Sequence, residues 1–599
     1  MGKKFLTRLL AVCMILPCLF AFNACGDDKD NENKNTNSGN NEQTHVCSYD
    51  RQKAESKYLK TEATCTTQAI YYYSCTCGKA GTETFISGRL KDCDFTKEVA
   101  DEKYLKEPAN CNSPAVYYKS CTVCGKRGYY FQTFTYGECG DCTFSEEVAD
   151  YKYLCTEATK TEAETYYKSC PICGKAGKES FPYGEPLKTY TEEEKIPYTP
   201  ISLTVSLYDA ENSIYGFTCN TEAKPLRPVL QIVEGEDFTG DIKEYPVNVT
   251  SASSYTTQDV SFEYYILKAE AELKMDTVYT YRIFDKYVDI GSIPATLPTK
   301  DLKDTSFSFT HISDTQQYPT EFRKVLKTIQ GETDFLLHTG DVVESSKYEE
   351  EWTAMINGNF EYLSKIPMMA ISGNHETTYK NGSNEIFKHF NNKLPSQSST
   401  SLGYFYSFIY GNAKFIMLNT NDLTGNKLKS EQYDWLVKEL QSNTATWTIV
   451  SMHNPMYSVG NYGANPSRNA ISLALRKQLQ GVFAQYGVDI VLQGHDHVVS
   501  RTYPIDGSGQ PQTENWQTIN GINYSVNPHG VLYLMNGTSG GQVRSPYDID
   551  SSLYQYAEGS KASSWAQFEI NGVEMKISVN YYTTNGVVSY QTWGIKKTS

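Results

Sequence analysis

The sequence predicts a chain of several folding units: small cysteine-rich repeats, then a β-sandwich, then a large α/β domain. Three observations carry this expectation. Cysteines crowd the first third of the chain and nearly vanish from about Ile196, leaving only Cys219. Strand-like alternation then appears in residues 202–207 and 277–283, where apolar side chains recur with the period of two that lays them on one face of a sheet. Beyond residue 304, short apolar runs alternate with helix-like stretches, the pattern of a sheet with helical connections. At 599 residues and 39% hydrophobic content the chain is long enough for several separate cores. A formal charge of -15 and a pI near 5.2 argue against a backbone-wide nucleic-acid binder, which needs a basic face, so no nucleic-acid partner is expected. The same charge does not exclude a small phosphorylated substrate, because buried metal ions reverse the local field.

The elements follow in chain order. Lys3, Lys4 and Arg8 precede an apolar run over residues 9–22 that is too short and wrongly flanked to span a bilayer. Residues 1–24 therefore read as a signal peptide. The run ends Phe22-Asn23-Ala24-Cys25-Gly26, which resembles the lipobox of bacterial lipoproteins. That resemblance implies lipidation of Cys25 and an exported protein, lipid-anchored to the bacterial cell membrane or surface. Residues 25–44 are almost entirely polar and form a flexible tether.

Residues 45–190 hold three tandem copies of a module of roughly 45 to 50 residues. The copies share Tyr71-Tyr72-Tyr73-Ser74-Cys75, Tyr117-Tyr118-Lys119-Ser120-Cys121 and Tyr166-Tyr167-Lys168-Ser169-Cys170, each followed by Cys-Gly-Lys. Each copy has an upstream cysteine (Cys47, Cys93, Cys142) and a Lys-Tyr-Leu segment (Tyr58, Tyr104, Tyr153). Modules this short need a covalent or metal staple. Cys121-Thr122-Val123-Cys124 and Cys170-Pro171-Ile172-Cys173 look like the knuckles of zinc ribbons, and Cys139 and Cys142 form another such pair. Against structural zinc, the first copy spaces Cys75 and Cys77 by one residue, the third lacks a counterpart of Cys65 and Cys111, and export favours disulfides. Both staples stay open. The repeats carry no catalytic constellation and read as spacers or as contact modules for a cell-envelope or host surface.

Residues 196–300 read as the β-sandwich, followed by a linker over 296–304, and residues 305–599 as the α/β domain. Its expected strands are 307–312, 335–338, 368–371, 415–418, 448–452 and 490–492. All but the fourth run directly into a polar cluster: Ser313-Asp314-Thr315-Gln316, Gly340-Asp341, Gly373-Asn374-His375-Glu376, His453-Asn454-Pro455 and Gly494-His495-Asp496-His497. Ligands gather at the carboxyl ends of such strands, so side chains far apart in sequence converge there. Carboxylates, an amide and imidazoles without a thiolate suit Fe, Mn or Zn better than Ca.

With these motifs in this order, the region resembles the calcineurin-type metallophosphoesterases, and with the preceding sandwich it resembles their purple acid phosphatase branch. The resemblance implies a four-layer metallophosphoesterase domain, β-sheets sandwiched by helices, behind a fibronectin-like β-sandwich. It also implies two divalent or trivalent metal ions: Asp341 bridging both, Asp314 and His497 on the first, Asn374, His453 and His495 on the second. His375 is then left as the catalytic group, donating a proton to the leaving oxygen or stabilising phosphoryl charge.

Two departures from the family pattern matter. Glu344 stands where purple enzymes have a metal-binding tyrosine, so no tyrosinate colour is expected. Gln316 stands where many members of the superfamily have a histidine ligand, and its amide oxygen is a weaker candidate. His311, His338, His389 and His529 read as structural or exposed, with His338 placed to support Asp341. The expected activity is hydrolysis of phosphate monoesters from a phosphorylated small molecule or surface substrate. The alternatives are a phosphodiesterase or nucleotidase, and a surface interaction protein working through its repeats.

Overall fold

The structure, a computed structural model, describes residues 46–109, 111, 113–138, 142–377, 384–398, 403–550 and 552–598. The signal peptide, Cys25, the tether and Cys139 lie outside the described residues. No helix among the described residues is long and apolar enough to cross a membrane. The chain divides into two compact units, residues 1–142 and 143–599.

In the first unit, each of two modules is a three-stranded antiparallel sheet, Leu59–Thr61, Ala69–Ser74 and Ala80–Ser87 in one, Leu105–Glu107, Ala115–Tyr118 and Thr133–Tyr136 in the other. The Lys-Tyr-Leu tyrosine locks each module: the Tyr58 hydroxyl donates to the Gly78 carbonyl at 3.1 Å and the Tyr104 hydroxyl to that of Gly125 at 2.6 Å. One buried aromatic thus ties the first strand to the turn after the second, where a small module has little other core.

The second unit begins with the third copy, whose strands Leu154–Thr156, Glu164–Ser169 and Ala176–Tyr183 repeat the sheet. Grouping this copy with the sandwich has a visible cause. The Ala158 amide donates to the Tyr287 hydroxyl at 2.8 Å, Tyr287 bonds Glu164, Lys286 pairs with Glu157, and the Arg227 guanidinium stacks on Tyr151. The sandwich packs a sheet ordered Ile201–Asp209, Ile214–Thr221, Ser261–Glu272, Asn248–Tyr255 against a second built on Pro228–Glu234 and Val278–Asp285. Phe217, Leu230, Ile232, Leu267 and Tyr281 fill the space between. The segment expected to be a linker from residue 296 is partly strand. Ala295–Pro298 pairs antiparallel with Val278–Asp285 because Ala295 and Leu297 alternate into the core.

Two sheets build the α/β region. One runs in the order Met368–Ala370, Phe335–His338, Ser306–Ile312, Ser564–Asn571, Glu574–Thr583, Gly586–Lys596, Ile522–Val526, Trp516–Ile519. The other runs Tyr406–Tyr410, Ala413–Met417, Trp447–Met452, Ile490–Gln493, Leu532–Asn536, Val498–Thr502, Tyr554–Gly559. Phe309 of the first meets Phe415 of the second at 5.2 Å between ring centroids, so the two sheets share a core. Strand alternation shows the layering. Phe415 and Met417 enter this shared core, while Ile416 and Leu418 join the one that buries Leu436 and Leu440 of helix Ser430–Gln441 and Leu475, Leu479 and Phe483 of helix Ala470–Gln485. The strands that precede the polar clusters are parallel within each sheet: Ser306–Ile312, Phe335–His338 and Met368–Ala370 in one, Trp447–Met452 and Ile490–Gln493 in the other. Their carboxyl ends therefore open together.

Candidate metal centre

Each polar cluster begins one to three residues after its strand, and the backbone turns sharply there. Asp314, Gln316, Asp341, His495 and His497 have φ of 54°, 47°, 56°, 77° and 55°. Left-handed backbone at non-glycine residues costs on the order of 1–3 kcal/mol each and persists only where surrounding bonds impose it. The imposing bonds are visible. The Asp314 amide donates to the Gly340 carbonyl and the Gln316 amide to that of Asp341, both at 3.1 Å, while the His495 amide donates to both Asp314 carboxylate oxygens at 3.1 and 3.0 Å. Gly373 lets the loops close: a Cβ there would lie 2.0 Å from Asp341 Oδ1, so no other residue fits without separating them.

The side chains meet in two groups, linked where the His495 amide bonds Asp314. His497 Nε2 lies 3.2 Å from Asp314 Oδ1. His453 Nε2 lies 3.3 Å from Asp341 Oδ1, 3.0 Å from Asn374 Oδ1 and 3.2 Å from His495 Nδ1. The ligand atoms of Asp341, His453 and His495 all fall within 4.8 Å of one another. Two of the imidazoles are oriented from behind. His453 Nδ1 lies 2.8 Å from the Thr339 carbonyl and His497 Nδ1 lies 2.6 Å from that of Gln542. A carbonyl only accepts, so Nδ1 carries a proton in both rings and each Nε2 turns toward the cluster. Imidazole nitrogen, amide oxygen and carboxylate thus face one another across a space that a proton on Nε2 or a metal ion can fill. That arrangement is suited to a cation, so the residues present fit a metal centre.

The field agrees in sign. Burial would lower the affinity of His453 for a proton, yet Asp341 and Asp314 outweigh it and push its pKa up to about 9. His495 goes the other way, down to about 3, through burial and the neighbouring His453. Burial would raise Asp314, but His497 and the Ser313 hydroxyl hold it below the usual carboxylate range.

The structure brings together Asp314, Asp341, Asn374, His453, His495 and His497, and sets His375 at their edge. The His375 amide donates to Asp341 Oδ1 at 3.0 Å, its Nδ1–H donates to the Glu344 carbonyl at 2.5 Å, and Nε2 stands 3.8 Å from Asp341 Oδ2. Gln316 enters through its backbone, and its side-chain oxygen lies against Gly541. His338 is buried behind the site, its Nε2 3.0 Å from Thr315 Oγ1. His389 stacks on Trp352 far from the strand ends.

Three further contributors surround the ligands. Glu376 ends the Gly373-Asn374-His375-Glu376 cluster, and its buried carboxylate accepts from the amides of Asp341, Val342, Val343 and Gly373. The glycine-rich loop 537–541 holds the first cluster: the Ser539 amide donates to the Ser313 carbonyl and the Gly541 amide to that of Asp314, at 2.7 and 2.8 Å. Tyr462 lies over His495 with ring centroids 4.0 Å apart. The Asp496 carboxylate fixes Tyr462 by accepting from its amide at 2.8 Å.

Residues 307–499 match the calcineurin-like phosphoesterase family. The chain is 26% identical over 203 residues to purple acid phosphatase 15 of Arabidopsis thaliana, covering 33% of this chain and 34% of that protein. It is 29% identical over 240 residues to human (Homo sapiens) acid phosphatase type 7, covering 36% and 50%. The chain therefore spans between a third and a half of the length of these curated relatives. A purple acid phosphatase structure from yellow lupin (Lupinus luteus) seeds superposes with a TM-score of 0.54 at 16% identity, over 73% of this chain and 80% of the other, which shows a shared fold. Residues 307–499 thus carry the calcineurin-like phosphoesterase match, and the chain is similar to purple and other acid phosphatases in sequence and to a purple acid phosphatase in fold.

Proposed function

We propose that the chain hydrolyses phosphate monoesters at the cell surface through a dinuclear metal centre, with Cys25 as its lipid anchor. Asp314, Asp341 and His497 would hold one ion, and Asp341, Asn374, His453 and His495 the other. The observation that carries this is the convergence of carboxylate, amide and imidazole ligand atoms around Asp341 from both sheets, with the Thr339 and Gln542 carbonyls turning Nε2 of His453 and His497 inward. Two such ions supply charge neutralisation at the phosphoryl oxygens and acidify the attacking water.

The chain's own residues do the rest. The Glu344 carbonyl accepts the Nδ1–H of His375, which turns Nε2 toward the Asp341 side of the centre. Burial opposes a charge there, but Asp341 and the Glu344 carbonyl raise the ring's pKa, so the imidazolium can donate its Nε2 proton to the departing ester oxygen. The Glu376 clamp holds the Asp341 and Asn374 loops at fixed separation, so the ligand atoms are placed before substrate arrives. Phosphorylated small molecules or surface groups are the substrates this reading implies.

The test is phosphate release by the full-length chain from an aryl monoester and an aryl diester, with added Mn, Zn or Fe, beside Asp341→Ala. Metal-dependent turnover of the monoester that Asp341→Ala abolishes supports the proposal. Faster turnover of the diester moves the assignment to a phosphodiesterase, and no turnover with any of the three metals overturns it.

A further inference from the structure

The cysteine repeats hold a constellation that the phosphoesterase centre does not use. Cys65, Cys93, Cys121 and Cys124 place their sulfurs within 4.8 Å of one another, the nearest pairs being Cys65 with Cys121 at 3.4 Å and Cys93 with Cys124 at 3.6 Å. Two disulfides would need sulfurs joined in pairs at about 2.05 Å. Four thiolates at about 2.3 Å from a shared tetrahedral ion stand roughly 3.8 Å apart along every edge, and the observed spacing is close to that.

We propose that these four thiolates bind a structural zinc ion shared between consecutive repeats, with Cys65 from the first copy and Cys93, Cys121 and Cys124 from the second. The backbone brings the three donor segments together without help from the sulfurs. The Lys91 amide donates to the Thr64 carbonyl at 3.0 Å, which draws the loop carrying Cys65 to the segment carrying Cys93. The Thr122 amide donates to the Asp94 carbonyl at 3.0 Å, and Ser120 and Lys97 exchange backbone bonds, which fixes Cys93 against the turn of Cys121 and Cys124. That turn has the form of a metal knuckle. The Gly125 amide donates to the Cys121 carbonyl, Gly125 has φ of 70°, and the amides of Val123 and Cys124 point at the Cys121 sulfur. Backbone N–H groups so placed stabilise a thiolate bound to metal.

The third copy shows that Cys65 is there for its side chain. Its equivalent loop keeps the same bonds, Thr159 amide to Glu162 carbonyl and Leu187 amide to Thr159 carbonyl, matching Thr64 to Thr67 and Lys91 to Thr64, yet Lys160 stands where Cys65 does. The loop folds without a cysteine. The last copy, with no following copy to serve, has lost the donor. The first copy has no preceding copy among the described residues, and it gathers only the corresponding three, Cys47, Cys75 and Cys77. Donation from the first copy to the second accounts for the fourth ligand that the first copy lacks and the second has. It also supplies the staple that sheets with strands of three to eight residues require.

The test reads each cysteine separately in the full-length chain purified with zinc. Alkylation is followed by peptide mass spectrometry, with and without a zinc chelator, and peptides are also mapped without reduction. Cys65, Cys93, Cys121 and Cys124 should all be free thiols, alkylated at least ten-fold faster once the chelator is added. In Cys65→Ser, the other three should become as reactive as in chelated protein while Cys47, Cys75 and Cys77 keep their rates. Disulfides joining any two of the four in the unreduced map, or chelator-independent alkylation, would overturn the proposal on the unaltered chain alone, whatever the folding of the variant. Continued protection of Cys93, Cys121 and Cys124 in Cys65→Ser would overturn the sharing between copies. Phosphate release serves as a separate readout, since none of these cysteines lies in the phosphoesterase domain.

Discussion

Replacing Glu376 with glutamine should loosen the candidate centre while leaving every proposed ligand in place. The carboxylate accepts from the Asp341 and Gly373 amides at 2.9 and 2.7 Å through Oε2, and from those of Val342 and Val343 at 2.9 and 3.3 Å through Oε1. It is fully buried, so no water can substitute. Glutamine matches its shape but has one acceptor oxygen, and its NH₂ must face two backbone N–H groups whichever way the amide turns. A hydrogen bond to a charged acceptor contributes about 1.5–3 kcal/mol, and a buried donor left without a partner costs about 1–3 kcal/mol. Two such losses place the penalty at roughly 3–6 kcal/mol. At about 2 °C per kcal/mol for a domain of this size, Tm should fall by roughly 6–12 °C.

The measurement is calorimetry of the full-length chain and Glu376→Gln, with and without added Mn, beside metal content after dialysis. Metal retention should fall by about 10- to 100-fold in affinity, the usual effect of removing a group that orients ligands. A transition within about 1 °C of the parent, with equal metal retention, would refute the view that this carboxylate fixes the two loops.

Other perturbations address separate links. His375→Ala should lower kcat by about 10²–10⁴-fold with metal content unchanged, and a loss of bound metal instead would make His375 a ligand. Iron-loaded protein should show no tyrosinate-to-iron absorption, because the family resemblance puts Glu344 where purple enzymes have the tyrosine, and such a band would overturn that assignment. Glu349 lies buried beside Asn220 and His389, and burial pushes its pKa from 4.5 up to about 8. The folded state then keeps a proton that the unfolded chain releases, so this contribution is full below about pH 4.5 and is lost as pH rises through about 8. Glu349→Gln should remove a decline on the order of 2–4 kcal/mol from Tm profiles taken across that range, and equal slopes in parent and variant would count against it.

The parts of the α/β region that could be read from sequence are those whose physics is local. Phe335–His338 and Trp447–Met452 are buried along their whole length, so they appear as short unbroken apolar runs ending in polar clusters. The strands Ser564–Asn571, Glu574–Thr583 and Gly586–Lys596 are mixed in polarity and were not expected, although Asn585-Gly586 between two β-rich runs is a hairpin signal. Side-chain ligands leave a trace in residue type. The Thr339 and Gln542 carbonyls that orient His453 and His497 leave none, because every residue has a carbonyl and only the fold decides which one arrives.

The strain at the site and its affinity for cations have one origin. Left-handed backbone at Asp314, Asp341, His495 and His497 directs their side chains into one small volume, where ligand-type atoms stand 3.0–3.3 Å apart. Both terms destabilise the metal-free protein locally, and both are offset when a cation takes the lone pairs. Stability should therefore follow metal concentration as RT ln(1 + [L]/Kd), about 2.7 kcal/mol at a hundred-fold excess over Kd. The bonds from Glu376 and loop 537–541 hold the strained turns in position without the ion, so binding completes a formed site and does not have to fold one. A weaker clamp would shift that balance, and metal would then have to order the loops at the expense of its own affinity.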